Sequence, residues 1–170
     1  MADSTQTDRS WLERPFRVLD YLYNAEIDTY PMADVVKACR EMAANVIHFH
    51  CMSNMNGGLD ENGIYFAARC AQKKNRDVLG EFLPLAREAG IRTVVYANLH
   101  WFTKPFVDAH PEWAVIKADG SRYDHLYGDN DSTCCINTPW RDWSFRLLED
   151  ICAYPVDGIF YAGPIVFPAR

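Results

Sequence analysis

Apolar strand-like stretches and amphipathic helix-like stretches alternate along this 170-residue chain. Continuous β-branched and aromatic runs predict the strands, and apolar residues that recur at helical spacing predict the helices. The predicted strands cover residues 15–22, 44–50, 91–98 and 156–164, and the predicted helices cover residues 31–42, 77–89 and 138–153. A β-α-β-α-β-α-β order calls for right-handed crossover units, and it therefore predicts a parallel sheet in an α/β fold.

Two architectures share this order, the doubly wound sheet and the (β/α)8 barrel. No glycine-rich phosphate loop follows a predicted strand, which argues against nucleotide binding. The long segments 51–76 and 103–137 favour the barrel, because its active face is built from such loops. A whole barrel takes about 250 residues. Residues 15–170 are therefore predicted to form the N-terminal half of a (β/α)8 barrel, with four strands and three helices, and residues 1–14 a mobile tail.

Composition argues against several classes of function. The formal net charge is −6 and no basic run is present, which argues against a nucleic-acid partner held through its phosphates. The chain contains no stretch of about 18 apolar residues, so no membrane span is expected. The polar start lacks the apolar core of a secretory signal, so a cytoplasmic location is expected. The six cysteines match no zinc-binding spacing and are expected to be reduced thiols, and no cofactor is expected.

Polar and aromatic side chains follow the second and third predicted strands. The carboxyl ends of parallel strands share one rim, where the chemistry of α/β folds gathers. His48 and His50 lie two apart on one strand and therefore point to the same face. Asn98, His100 and Trp101 end the next strand; an indole offers an apolar face to a sugar ring, and amide and imidazole groups orient its hydroxyls. These five residues are candidate substrate-binding residues, with buried structural roles as the alternative.

The second half of the chain adds further candidates. They are Trp113, Asn137, Trp140, Arg141 and Tyr161. Trp113 is either a second stacking platform or a loop anchor, and Arg141 either holds a carboxylate or pairs within its own helix. Thr138 is predicted to cap that helix, with Pro139 as its first residue.

Residues near these strand ends also bear on nucleophilic and metal-dependent chemistry. No Gly-x-Ser-x-Gly turn is present, and Cys51 points away from the adjacent His50, so a Ser or Cys nucleophile is disfavoured. A metal-dependent hydrolase or isomerase would use His48 and His50 with His100 as third ligand.

Five stretches together resemble a family of hypothetical glycosyl hydrolases that is related to the α-L-fucosidases and, more distantly, to the α-amylase-like clan. They read ANVIHFH at 44–50, GIRTVVYANLHWF at 90–102, HPEWAVIKADG at 110–120, CINTPWRDW at 135–143 and VDGIFYAGP at 156–164. Their order is fairly specific, although no single stretch is. The resemblance implies a (β/α)8 barrel that acts on a carbohydrate or glycoside.

The resemblance also implies a catalytic Asp where this chain has Ala162. In fucosidase-like relatives that Asp is the nucleophile of a retaining mechanism, and a second carboxylic acid protonates the leaving oxygen. A methyl group cannot attack an anomeric carbon, so the chain is expected to be inactive as it stands. Ala162 is either an engineered replacement or the mark of a naturally inactive relative. The acid/base is expected beyond the fourth strand, with Glu112 and Asp129 as fallback acids.

Half a barrel leaves one face of its core open. The chain is therefore expected to associate with itself or to be part of something longer. The alternative to catalysis is a non-catalytic module that binds carbohydrate or serves in assembly.

Overall fold

Parallel β/α units form the main body of the molecule. The computed structural model describes residues 9–21, 29–50, 66–69, 76–98, 101–125 and 128–162. The strands are β1 (Val18–Tyr21), β2 (Val46–Phe49), β3 (Arg92–Asn98), β4 (Trp101–Thr103), β5 (Asp131–Thr133) and β6 (Gly158–Ala162). Strands β1, β2, β3 and β6 lie side by side in that order and all run parallel. The predicted α/β fold with a parallel sheet is confirmed.

The helices follow the amphipathic patterns of the sequence. They are α1 (Met32–Glu41), α2 (Val78–Glu88), α3 (Lys104–Asp108) and α4 (Trp140–Cys152), with 3₁₀ turns at Ser10–Glu13 and Pro111–Trp113. Asp77 caps α2, because its Oδ1 accepts the Gly80 N–H at 2.8 Å. Gly90 follows this helix with φ of +71°, a conformation that glycine adopts without strain. None of the helices described is long and apolar enough to cross a membrane.

The first residue of α4 differs from the prediction. The helix begins at Trp140, so Pro139 is its N-cap residue rather than its first residue. Thr138 lies one position earlier in a turn, where its hydroxyl donates to the Cys135 carbonyl at 2.6 Å and accepts the Trp140 N–H at 3.3 Å. The helix therefore begins one residue later than predicted, while the Thr138 hydroxyl still accepts an N–H of its first turn, as the predicted cap would.

The segment between β3 and α4 contains more regular structure than the sequence predicted. Ile116 and Arg122 pair in antiparallel fashion across a turn in which Gly120 has φ of +82°. The antiparallel pair β4–β5 and the short helix α3 were not predicted. Strands of three residues and a helix of five carry too few positions for a periodic signal, so the sequence did not indicate them.

Two long segments are only partly described. Ser10–Glu13 forms a 3₁₀ turn within the predicted tail, and Trp11 packs on Phe16 with ring centroids 5.3 Å apart. Residues 1–8 lie outside the described residues, and the mobility of 1–14 stays a prediction. Most of the connection over 51–76 also lies outside them.

The hydrophobic core lies on the helix side of the parallel sheet. Ile47, Phe49 and Val95 are fully buried, and Phe49 stacks on Phe82 of α2 with centroids 4.5 Å apart. The opposite side of the sheet is less covered: Val18 is 54% exposed and Phe160 is 50% exposed. We call this second side the open face.

Candidate functional site

Strand alternation brings one set of side chains to the open face. The parallel register aligns these residues in rows: Asp20, His48, Val94 and Gly158, then Tyr96 and Phe160, then Asn98 and Ala162. His50 follows the end of β2 and lies in the row of Tyr96, against which it stacks. The last row lies at the carboxyl ends of β3 and β6, which is the rim where the sequence placed the site.

Two histidines share one carboxylate oxygen on this face. His48 Nδ1 lies 3.0 Å from Asp20 Oδ1, and His50 Nε2 lies 3.1 Å from the same oxygen. The two imidazole centroids are 4.9 Å apart. We call Asp20, His48 and His50 the imidazole–carboxylate cluster. Its members come from two neighbouring strands, because Asp20 and His48 are partners in the register of β1 and β2.

Aromatic rings surround this cluster. Tyr96 stacks on His50 with centroids 4.3 Å apart and planes 13° from parallel. Phe160 contacts His48 edge to face, with centroids 4.6 Å apart. The cluster is thus held between rings from β3 and β6, and the half-exposed Phe160 keeps an apolar surface open to solvent.

The environment of His50 favours its neutral form. Burial lowers the pKa of His50, and the nearby charge of His48 adds to that lowering, while Asp20 opposes it. A neutral imidazole offers one donor nitrogen and one acceptor nitrogen. Within the described residues, His50 Nδ1 and His48 Nε2 are buried without a hydrogen-bond partner. His48 Nδ1 and His50 Nε2, the two nitrogens that face Asp20, are therefore the ones that make polar contacts here.

Asn98 and Ala162 face each other at the rim. They are register partners at the ends of β3 and β6. Asn98 is buried, and its Nδ2 donates to the backbone carbonyl of Trp101, which begins β4. Asn98 thus lies beside Ala162 and also contacts the backbone of Trp101. Ala162 is partly exposed rather than sealed in the core.

Two of the candidate tryptophans lie in the core instead. Trp140 is fully buried and contacts Phe102 at 5.9 Å between ring centroids. Trp113 is 7% exposed and stacks on His110 at 3.8 Å. The structure therefore gives Trp113 the role of a loop anchor, which is one of the two roles that the sequence allowed. Trp140 has no surface on which a sugar could stack.

The other candidates are not gathered at the rim. Tyr161 packs on the core, and strand alternation turns it away from Ala162. Arg141 pairs with Asp142 at 3.5 Å, which was its alternative reading, and Asn137 is an exposed turn residue. His100 lies outside the described residues, so the proposed metal set of His48, His50 and His100 is not described in full.

Sequence reasoning missed Asp20. This residue belongs to a predicted strand, and its alternation with Val18 would have put it on a defined face. The missing information was the register with β2, which sets Asp20 directly beside His48. Tyr96 and Phe160 were also missed as neighbours of the histidines, because aromatic residues in a strand are as typical of core packing as of a site.

Comparison with known proteins identifies the family. The model of the family described as "Hypothetical glycosyl hydrolase 6" matches residues 31–162. The chain belongs to this family. The match includes His48, His50, Asn98 and Ala162 but begins after Asp20. No curated protein sequence matches the chain.

Solved structures of glycoside hydrolases share the fold. An α-L-fucosidase from Paenibacillus thiaminolyticus is 17% identical with a TM-score of 0.71, over 91% of this chain and 24% of its own. A maltogenic α-amylase from Thermotoga neapolitana is 13% identical with a TM-score of 0.57, over 89% and 39%. An α-galactosidase from Thermus thermophilus, solved with stachyose, is 15% identical with a TM-score of 0.54, over 86% and 32%. This glycosyl hydrolase family member is thus a partial (β/α) barrel that spans about a quarter of the fucosidase.

Proposed function

We propose that this chain supplies part of the sugar-binding and bond-cleaving site of a fucosidase-like glycoside hydrolase. One observation carries the proposal. Asn98 and Ala162 lie side by side at the carboxyl rim of a parallel sheet, one row beyond Tyr96 and Phe160, in a member of a glycosyl hydrolase family. In barrel enzymes the reacting groups come from this rim.

Ala162 takes the position of the nucleophile in this proposal. A retaining glycosidase needs one carboxylate to attack the anomeric carbon and a second carboxylic acid about 5 to 5.5 Å away to protonate the leaving oxygen. The methyl group of Ala162 supplies neither function, so we expect the chain to bind glycosides without cleaving them. The half-exposed Phe160 offers the apolar surface on which a sugar ring stacks.

The proposed site needs residues from outside the described part of the chain. The chain spans about a quarter of the fucosidase to which it is similar, and we expect the acid/base partner of position 162 to come from beyond β6. We propose that a second copy of the chain, or the remainder of a longer one, covers the open face and supplies that carboxylic acid.

An external nucleophile tests the role of position 162. Dinitrophenyl glycosides carry a leaving group that departs without protonation, so their cleavage does not depend on the missing acid. With α-L-fucoside and galactoside versions, we expect azide to occupy the space left by the absent carboxylate and to attack the anomeric carbon. Dinitrophenolate would leave with the bonding electron pair, and a glycosyl azide of inverted configuration would form.

Two variants at the same position serve as controls. Ala162→Leu fills the space and should abolish the azide-dependent release of dinitrophenolate. Ala162→Asp restores a carboxylate, which should attack the anomeric carbon, release about one equivalent of dinitrophenolate without azide and hold the glycosyl group as a covalent ester. If neither the unaltered chain with azide nor Ala162→Asp without azide releases dinitrophenolate, despite measurable glycoside binding, the catalytic proposal is contradicted and a non-catalytic carbohydrate-binding module is supported.

A further inference from the structure

We propose that the imidazole–carboxylate cluster of Asp20, His48 and His50 is a binding site for a divalent transition-metal ion. The cluster lies on the open face, at least one row below Ala162 along the strands. Among the residues described, one ligand atom from each of the three side chains lies within 4.8 Å of the other two. This site is separate from the nucleophile position and does not depend on glycoside cleavage.

The separations between the ligand atoms fit one metal ion. With bonds of about 2.1 Å, two neighbouring ligand atoms lie about 3.0 Å apart in octahedral coordination and about 3.4 Å apart in tetrahedral coordination. The nitrogens of His48 and His50 lie 3.0 and 3.1 Å from Asp20 Oδ1. An ion beside that oxygen could therefore bind all three side chains while their backbone strands stay where they are.

The backbone arrangement presets this geometry. Asp20 and His48 are register partners on adjacent parallel strands, and His50 follows His48 by two residues, so all three project from one face. His50 is 3% exposed and is held by its stack on Tyr96, and His48 is held against Phe160. Two ligands are thus oriented before an ion arrives, and the exposed Asp20 provides the flexible third.

The donor set indicates which ions fit. Two imidazoles and one carboxylate suit zinc, iron, cobalt and nickel ions, whereas magnesium and calcium prefer sites made of oxygen atoms alone. Three protein ligands leave further coordination positions for water or for oxygen atoms of a bound molecule. The exposed side of the cluster, where Asp20 is 56% exposed, is the side from which such a molecule can approach.

Hydrogen bonding from both imidazoles to Asp20 is the competing explanation, since it gives similar distances. Metal titration separates the two. Protein prepared without a histidine tag and freed of metal with a chelator is titrated with Zn²⁺ by calorimetry and with Co²⁺ by visible absorption. We expect one saturable site per chain for both ions and no comparable binding of Mg²⁺.

Matched variants assign the ligands. Asp20→Asn and His48→Gln should weaken Zn²⁺ binding by more than about 100-fold, because loss of even an outer-shell partner costs about 10- to 100-fold. His125→Gln, at an exposed histidine whose Nδ1 lies 3.3 Å from the Gly128 carbonyl, should bind as the unaltered chain does. Because Asp20 is exposed, Asp20→Asn should keep its fold, which circular dichroism checks.

Absence of saturable Zn²⁺ binding, or equal affinity in Asp20→Asn and the unaltered chain, would overturn the metal site. The titration contains no glycoside, so its failure leaves the azide experiment at position 162 unaffected. A failure of the azide experiment likewise leaves the Zn²⁺ titration unaffected.

Discussion

Removing the Trp140 side chain should destabilise the fold strongly and leave sugar binding to correctly folded protein unchanged. Trp140 begins α4, is fully buried, and contacts Phe102 of β4. It therefore joins the last crossover helix to the small antiparallel sheet. If it were a stacking platform, replacement would weaken ligand binding and cost little stability.

The structure allows an estimate of the loss. A buried tryptophan removes about 150 to 250 Å² from water, which at about 25 cal/mol per Å² corresponds to roughly 4 to 6 kcal/mol as an upper estimate. Aromatic-to-alanine substitutions in cores cost about 3 to 5 kcal/mol. We therefore expect Trp140→Ala to lower the free energy of unfolding by about 4 kcal/mol, a large share of the 5 to 15 kcal/mol of a typical domain. Trp140→Phe should lose distinctly less, since it keeps most of the ring.

Urea unfolding followed by circular dichroism measures this difference. Phe145→Ala is the control, because Phe145 lies on the same helix with 52% of its surface exposed, and its loss should be within about 0.5 kcal/mol. A loss of less than about 1 kcal/mol for Trp140→Ala, with an unchanged dependence on urea, would refute the assignment of Trp140 to the core.

Two further predictions concern a helix cap and an ion pair. In Gly80→Ala the new Cβ would lie 2.7 Å from Asp77 Oδ2, so we expect the side-chain cap of α2 to be displaced. Urea unfolding should then show a free energy of unfolding lower by roughly 1 kcal/mol. Helix propensity alone would stabilise this variant, and a stabilised variant would therefore contradict the prediction. Burial raises the pKa of Asp124, but the hydrogen bond from Lys104 at 2.8 Å, a neighbouring hydroxyl and a guanidinium outweigh it and hold that pKa below its ordinary value. The stability that Asp124 contributes is present above its unfolded pKa and is lost as the pH falls through its folded pKa. The difference in free energy of unfolding between the unaltered chain and Asp124→Asn should therefore shrink below about pH 4. A difference that stays constant on acidification would argue against the ion pair.

The sequence predicted the long elements well because their signals are redundant. In α2, a capping carboxylate, an apolar stripe and a glycine after the last turn all indicate the same helix. The strands β2, β3 and β6 are runs of β-branched and aromatic residues, and the parallel sheet followed from their alternation with helices. The β4–β5 pair has three residues in each strand, so no comparable redundancy exists there.

The candidate site was only partly predictable, for a different reason. Alternation along one strand is local information, and it put His48 and His50 on one face. Which residue of β1 lies beside His48 depends on register, which no single segment encodes. The tryptophans illustrate a second limit: the aromatic content is compatible with a platform or with a core, and only packing put Trp113 and Trp140 inside.

The strand order has a chemical consequence for position 162. Within the part of the chain described, β6 is hydrogen-bonded to β3 on one side only, so its outer backbone amides and carbonyls are available to another strand. A strand that paired there would lay its own alternate side chains next to Ala162. The surroundings of Ala162 therefore depend on whichever segment pairs with the free edge of β6, as well as on its neighbour Asn98 in β3.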